Sequence, residues 1–191
     1  MNPPELAAVF ALVVVATVVG FIVVSSYNAV VALRQRIDKA WANIDVVLKQ
    51  RHDQLPNLVA AVRGLMAYER AVLTRVTEAR AAYSPTAPIP DQAATSDATS
   101  EAVRSLFAVV ERYPDIKAGT NVQDLQDEIE RLEGMIADRR ELYNDQVYRY
   151  NTRIAQVPGA LLAPLFGWHS RVFFAADPVE RARPDMDLRS T

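Results

Sequence analysis

The stretch that decides the fold is residues 28–83, NAVVALRQRIDKAWANIDVVLKQRHDQLPNLVAAVRGLMAYERAVLTRVTEARAAY. Its apolar residues recur in two rows at seven-residue intervals, offset by four positions. The first row holds Val30, Ile37, Ile44, Leu58, Leu65, Val72 and Ala79 and is interrupted by Arg51; the second holds Trp41, Leu48, Leu55, Val62, Val76 and Tyr83. The rows form one apolar stripe along a long, coiled-coil-like helix, which other helices must cover. The sequence therefore predicts an all-α, elongated up-and-down helical bundle.

Pro56 lies inside this helix, where it removes a backbone donor and crowds the carbonyl of His52, at a cost of about 3 kcal/mol in an isolated helix. The stripe keeps its phase across the proline, which favours a single kinked helix. The alternative is a tight turn at residues 53–57, with Asp53 as the cap of a second helix. No glycine lies in that turn, so the kinked helix is the better interpretation.

The segment from Leu6 to Val24 contains no charged residue and approaches the ~20 residues that cross ~30 Å of hydrocarbon. The residues before it include no lysine or arginine, unlike a cleaved signal peptide. We therefore expect residues 1–27 to form a permanent transmembrane helix that continues into the first bundle helix. The part from Asn28 to Tyr83 would then extend ~80 Å from the bilayer.

The charges that flank the span predict its orientation. Glu5 precedes the span, whereas Arg34, Arg36 and Lys39 follow it, and basic residues tend to stay on the cytoplasmic side. The sequence thus predicts a single-pass protein of the inner membrane with a cytoplasmic bundle. The same three basic residues are expected to contact anionic lipid headgroups.

The remaining elements follow from composition and spacing. Residues 84–100 are rich in turn-forming and small polar residues and predict a connection, after which a short second helix begins near Asp97 as its cap and ends at Tyr113. A loop then leads to a long last helix capped by Asn121. Its buried positions are predicted to be Val122, Ile129, Ile136, Tyr143, Tyr150 and Val157, with Leu125 and Leu132 and later Val147 and Ile154 beside them. This drifting stripe is typical of helices that cross at an angle.

An apolar segment follows the last helix, interrupted by Pro164 and Gly167, and it is too short to cross a membrane. Its large side chains are Leu161, Leu162, Leu165, Phe166, Trp168, Phe173 and Phe174. Capping of the bundle or packing against another subunit is the favoured interpretation, and contact with a membrane is the alternative. The bundle domain is predicted to span residues 28–176, and residues 177–191 are predicted to form an extended tail.

The composition points away from several classes of function. The 191 residues include no cysteine and carry a net charge of −2, which excludes disulfides and thiolate metal sites and does not fit a nucleic-acid-binding domain. His52 and His169 have no partners at the spacing of a metal site, which needs three or four ligands. We therefore predict no catalytic residues, no metal and no cofactor.

Polar residues on or beside the stripe are the sharper candidates, namely Arg51, Arg139 and the Tyr-Asn pairs at 143–144 and 150–151. They either satisfy one another or cap the carbonyl freed by Pro56, fixing the register of the helices, or they contribute to binding. In the second interpretation Arg51, His52 and Asp53 belong to a subunit interface or docking groove. Trp168, Phe173 and Phe174 are further interface candidates.

The chain resembles the LemA family of membrane-anchored bacterial proteins over residues 27–174. The matching residues are Tyr27-Asn28, Leu33, Arg36, Asp38, Ala40-Trp41, Ile44-Asp45, Leu48, Arg51-His52-Asp53, Leu55-Pro56-Asn57-Leu58-Val59, Glu69, Val76-Thr77-Glu78-Ala79-Arg80, Glu111-Arg112-Tyr113-Pro114-Asp115-Ile116-Lys117-Ala118, Leu125-Gln126, Ile136, Arg140, Tyr143-Asn144, Val147, Tyr150-Asn151 and Ile154. The resemblance implies a membrane helix followed by a helical bundle, and it implies no established enzymatic activity. Residues 84–90 and Arg139 depart from the usual family pattern.

Two functions are compatible with this sequence. The first is a non-enzymatic scaffold that forms a homo-oligomer through its helical stripe and organises membrane or membrane proteins. The second is an adaptor that presents an acidic face of the last helix, where five acids lie between Asp124 and Glu133, together with its tail, to a separate membrane or cytosolic protein. The partners predicted are membrane lipids and a second copy of the chain in the first case, and an unidentified protein in the second.

Overall fold

The computed structural model describes residues 2–63, 69–114 and 119–175. Every regular element within these ranges is an α-helix, which confirms the predicted all-α class. The elements are α1 (Pro3–Arg63), α2 (Arg70–Ala81), α3 (Ile89–Val110), α4 (Thr120–Ala155) and α5 (Gly159–Phe166). The chain divides into two compact units: residues 1–40 with 143–171, and residues 41–142 with the segment that begins at Val172.

Helix α1 begins at Pro3, just before the N-terminal apolar segment, and continues through that segment and Pro56 to Arg63 without interruption. The prediction that the apolar segment runs directly into the first bundle helix is therefore confirmed, and the alternative turn at residues 53–57 is wrong. The large apolar side chains in this segment are exposed except for Val23, which is half-buried; Phe10, for example, is 71% exposed. By length and composition, it is long and apolar enough to cross a membrane.

The chain reverses direction between α1 and α2, so the prediction of one helix from Asn28 to Tyr83 is wrong. The rings of His52 and Tyr83 lie 4.8 Å apart, whereas an unbroken helix would separate these residues by roughly 46 Å. The part of α1 that follows Asn28 is consequently about 53 Å long, and the estimate of ~80 Å is also wrong.

In the second unit, helices α2, α3 and α4 cover the apolar stripe of α1. The core contains Leu55, Leu58 and Val62 of α1, Val72 and Val76 of α2, Val103 and Leu106 of α3, and Ile129 of α4. The predicted stripe residues Ile44, Leu48, Leu55, Leu58 and Val62 are all at most 2% exposed, whereas Leu65 lies outside the described residues. The stripe is therefore satisfied within a single chain.

Helix α3 begins at Ile89, so the predictions of a connection through residue 100 and of a cap at Asp97 are wrong. Pro90 lies in its first turn, where the missing proline N–H has no helical partner to lose. Gln92 donates hydrogen bonds to the carbonyls of Pro85 and Ala87 at 3.2 and 2.8 Å. The side chains that this first half of α3 buries are the small or polar ones of Gln92, Ala93, Ser96 and Thr99.

Helix α4 confirms most of the predicted last stripe. Val122, Ile129, Leu132, Ile136, Tyr143, Val147, Tyr150 and Ile154 are all buried. The carbonyl of Gly119 accepts the N–H groups of Val122 and Gln123, so Gly119 occupies the cap position and the prediction of Asn121 is wrong. Val157 is 76% exposed, contrary to prediction, because α4 ends at Ala155.

The C-terminal part of the first unit packs closely against the end of α4. An added Cβ on Gly159 would lie 2.2 Å from the carbonyl oxygen of Arg153, so only glycine fits at the start of α5. Asn151 holds the segment after α5 by bonding both the N–H and the carbonyl of Arg171, each at 2.9 Å. The predicted tail at residues 177–191 lies outside the described residues.

Candidate functional site

Arg51 is a buried cation on the apolar stripe of α1, with only 3% of its surface exposed. Its Nη1 donates to Glu133 Oε1 at 2.6 Å and to Ser100 Oγ at 2.8 Å, and its Nη2 donates to Ser96 Oγ at 2.9 Å. Ser100 Oγ also donates to Glu133 Oε2 at 2.6 Å. The guanidinium thus joins α1 to α3 and α4 within one chain. Its partners are not among the polar residues singled out in the sequence, but a buried network of this kind fixes the register of the helices.

Two of the other polar candidates, Arg139 and Asn151, bond backbone groups. Arg139 donates to the carbonyl of Asn43 at 2.7 Å, and Asn151 holds Arg171 as described above. Neither therefore caps the carbonyl of His52, which Pro56 deprives of its helical donor.

His52 and Asp53 lie in environments that differ from each other and from that of Arg51. The ring of His52 is half-buried against Tyr83, and burial together with the nearby Arg80 lowers the pKa of His52. Asp53 is exposed and pairs with Lys49 at 2.8 Å, a hydrogen bond that lowers the pKa of the Asp53 carboxyl. The three consecutive residues therefore do not converge on one site.

A groove of about 470 Å³ separates α1 from α2, within the ~300–1,000 Å³ range of binding clefts. Its lining is formed by Leu55, Pro56, Val59, Ala60 and Arg63 of α1 and by Val76, Thr77 and Arg80 of α2. Leu55 and Val76, which are at most 1% exposed, supply an apolar floor. This groove exists because α2 folds back along α1.

Two guanidinium groups line the groove, those of Arg63 and Arg80. Neither forms an ion pair with any residue that the structure describes, and the buried Nε of Arg80 has no hydrogen-bond partner there. Beside them, Pro56 leaves the carbonyl of His52 without the donor that a regular helix would supply. An apolar floor with unpaired cations suits a ligand that carries both an apolar side chain and a carboxylate.

The groove was not predicted, although the sequence contains a signal for the turn that creates it. Glu69 occupies a position of the second heptad row, where an acid would be buried in a continuous stripe, and Gly64 lies shortly before it. In the structure Glu69 directly precedes α2 and accepts from Arg112 at 3.3 Å. An acid at a stripe position, five residues after a glycine, therefore indicated a helix end.

The three aromatic candidates near the C-terminus have different roles. Phe174 is fully buried in the second unit, where its ring lies 5.8 Å from that of Trp41 and 5.8 Å from the guanidinium carbon of Arg140. Phe173 is 42% exposed. In the first unit, Trp168 is half-buried against Phe166, with ring centroids 5.2 Å apart. Phe174 thus caps the core, whereas Phe173 remains available for contacts.

The basic residues that follow the span, Arg34, Arg36 and Lys39, are all exposed on α1, so each is free to meet a headgroup or a counter-ion. Among residues 2–63, 69–114 and 119–175, no three histidine, aspartate or glutamate side chains converge as a metal site would require.

Comparison with known proteins agrees with this architecture. Two magnetosome proteins of Paramagnetospirillum magneticum (strain ATCC 700264 / AMB-1), MamQ 1 and MamQ 2, are each 34% identical to this chain over 77 residues. The match covers 40% of this chain and 28% of each relative, so the chain spans little more than a quarter of their length. The profile of the LemA family matches residues 40–188. The chain therefore belongs to the LemA family.

Proposed function

We propose that this protein is a non-enzymatic, membrane-anchored helical scaffold that self-associates by inserting an apolar side chain of one copy into the α1–α2 groove of the next. The groove carries this proposal, because it combines an apolar floor with the guanidinium groups of Arg63 and Arg80, which have no ion-pair partner among the described residues. Family membership and the N-terminal apolar helix support the membrane-associated part. The basic residues after the span favour a cytoplasmic bundle in the inner membrane.

A second copy offers a complementary surface on α4. Leu142 is 60% exposed. The exposed Asp138 lies one turn before Leu142, and the exposed Glu141 lies three residues after Asp138, so Asp138 neighbours both along the helix surface. Neither acid forms an ion pair with a residue in the described ranges. Leu142 would fill the groove while the acids meet Arg63 and Arg80, and such complementarity fixes both partner and register.

This contact replaces the one first expected from the sequence. Self-association through the helical stripe requires that apolar residues of the stripe are exposed to solvent. The stripe residues of α1 from Ile44 to Val62 are instead buried within the chain. The groove and the Leu142 surface are different patches of the same unit. A contact between them is head-to-tail, so it closes into a ring or extends as a filament, which suits a scaffold that organises membrane or membrane proteins.

Charge reversal tests the proposal, with mass measured by light scattering on the full-length protein in detergent and in nanodiscs. We expect wild type to form discrete oligomers. Arg80→Glu and Glu141→Arg should each weaken association roughly 100-fold, because like charges across an interface cost several kcal/mol. The double variant Arg80→Glu/Glu141→Arg should restore assembly, since the two residues then carry opposite charges again, with the acid on the groove and the base on α4.

Matched controls reverse exposed charges outside the contact. Arg75 lies on α2 but not in the groove, and Glu130 lies on α4 before the Leu142 surface, so Arg75→Glu and Glu130→Arg should assemble like wild type. If Arg80→Glu and Glu141→Arg form the same oligomers as wild type and as the two control variants, the proposed contact is refuted. A monomeric wild type would refute self-association and would favour the adaptor, with an acidic segment of a separate protein in the groove.

A further inference from the structure

Helix α5 presents an apolar face that the first unit does not cover. Leu161 is 69% exposed, Leu165 is 76% exposed and Phe166 is 43% exposed, whereas Leu162 is buried. No charged residue occurs between Ile154 and Trp168. An exposed apolar face of this kind on an otherwise well-packed unit indicates a contact with lipid or protein.

The position of this face is fixed by Tyr27. The ring of Tyr27 lies 5.1 Å from that of Phe166 and 6.2 Å from that of Trp168. Tyr27 follows Val24, the last residue of the apolar segment Leu6–Val24, by less than one helical turn, or ~4.5 Å. If that segment fills the hydrocarbon, the three aromatic rings lie at the membrane–water interface.

We propose that α5 lies on the lipid surface as a second, interfacial membrane contact, with Leu161, Leu165 and Phe166 reaching below the headgroups. The inference rests on the N-terminal segment crossing the bilayer and is independent of the groove. Tyr27 and Trp168 then occupy the depth at which tyrosine and tryptophan are enriched in membrane proteins. Short apolar faces of this type bind in the plane of the interface and do not span it.

The surrounding charges fit this placement. Arg34, the first basic residue of α1 after the span, lies ~15 Å beyond Val24 along the helix, and it is exposed. At that distance Arg34 does not reach the edge of the hydrocarbon, where only the uncharged face of α5 would lie. The guanidinium is still within about a Debye length of the lipid surface, so anionic headgroups attract it. A lipid surface is therefore the occupant that the neighbouring residues favour.

Spin labels test the depth of α5 in the full-length protein, and the chain contains no cysteine that would need to be removed. Three single variants carry a nitroxide: Leu165→Cys on α5, Val15→Cys within the span, and Val46→Cys on α1. Val46 is 53% exposed and lies ~33 Å beyond Val24 along α1. Each is placed in nanodiscs of phosphatidylcholine and phosphatidylglycerol, and relaxation is measured with oxygen and with a water-soluble nickel chelate.

The label on Leu165 should collide with oxygen several times more often than with the nickel chelate, as the label on Val15 does, whereas the label on Val46 should show the reverse. A Leu165 label that is as open to nickel as the Val46 label would overturn the proposal. Protection of Leu165 from both reagents would also overturn it, in favour of a second protein chain over α5. Nickel access at Val15 would instead refute the membrane span itself.

Discussion

The buried Arg51 makes a strong prediction about stability. Replacing Arg51 by alanine removes every bond of the guanidinium to Glu133, Ser100 and Ser96. Breaking a buried pair by deleting one partner costs about 3–5 kcal/mol. The side chain of Glu133 is 28% exposed and keeps some access to water, so we expect Arg51→Ala to lower the free energy of unfolding by about 3 kcal/mol.

The partner variant should cost at least as much. Glu133→Gln leaves the guanidinium of Arg51, whose side chain is only 4% exposed, without a counter-ion, and we expect a loss of about 4 kcal/mol. Replacing both residues by methionine removes both charges while filling most of the space. That double variant should lie within about 1 kcal/mol of wild type, because hydrophobic replacements of buried ion pairs are often neutral.

The measurement is urea unfolding of the full-length protein in nanodiscs, followed by circular dichroism. Lys49→Ala is the control, since the Lys49–Asp53 pair on the same helix is exposed and its loss should leave the unfolding midpoint unchanged. An Arg51→Ala protein with wild-type stability but without oligomers would refute this reasoning. It would show that Arg51 acts at a subunit interface.

Two further predictions concern single side chains. Gly159→Ala should destabilise the protein by about 1–3 kcal/mol, because the added Cβ would overlap the carbonyl oxygen of Arg153. The control is Gly134→Ala on α4, which has open space around it and should be neutral or stabilising. Urea unfolding measures the stability of both variants. His52 has a lowered pKa in the folded state. Below about pH 6.5 the unfolded chain therefore binds more protons than the folded chain, and the free energy of unfolding decreases as the pH decreases. His52→Phe keeps a ring against Tyr83 and should reduce the change in the melting temperature of the bundle between pH 7 and pH 5.5. If the melting temperature of this variant changes with pH as much as that of wild type, His52 is not the source of the pH dependence.

The periodicity of the sequence predicted the buried surfaces well, because burial of an apolar stripe depends mainly on which residues share a helical face. Val30, Ile44 and Leu58 on α1 and Tyr143 on α4 are all at most 2% exposed. The same periodicity could not reveal where the first helix ends. A heptad pattern is preserved when a chain turns back and packs the same face against itself, so Val72 and Val76 kept the pattern on a separate helix.

The start of α3 illustrates the opposite error. Residues 89–100 contain small polar side chains that favour turns in isolation, yet Ser96 is 5% exposed and its hydroxyl accepts a bond from Arg51. Tertiary contacts thus override local propensity in this segment. Periodicity alone did not predict the groove for a related reason: the groove is formed by α1 and α2 together, and it depends on a reversal that is indicated by Glu69 on the stripe and not by the apolar pattern of either helix.

The Arg51 network and the groove are consecutive features of α1, and the first positions the second. A shift of α1 by one residue would remove Arg51 from Glu133 and drive a cation into the apolar core, which is why polar groups at a single stripe position specify register. Leu55 and Val59 follow on the same helix, so the network also sets the α1 wall of the groove. The opposite wall of the groove, α2, has no buried ion pair of this kind with any residue that the structure describes. It begins at an ion pair between Glu69 and Arg112, whose side chain is 64% exposed, and exposed ion pairs contribute little to stability. One wall is thus held by buried charge and the other mainly by apolar packing, so a ligand that enters the groove would move α2 more readily than α1.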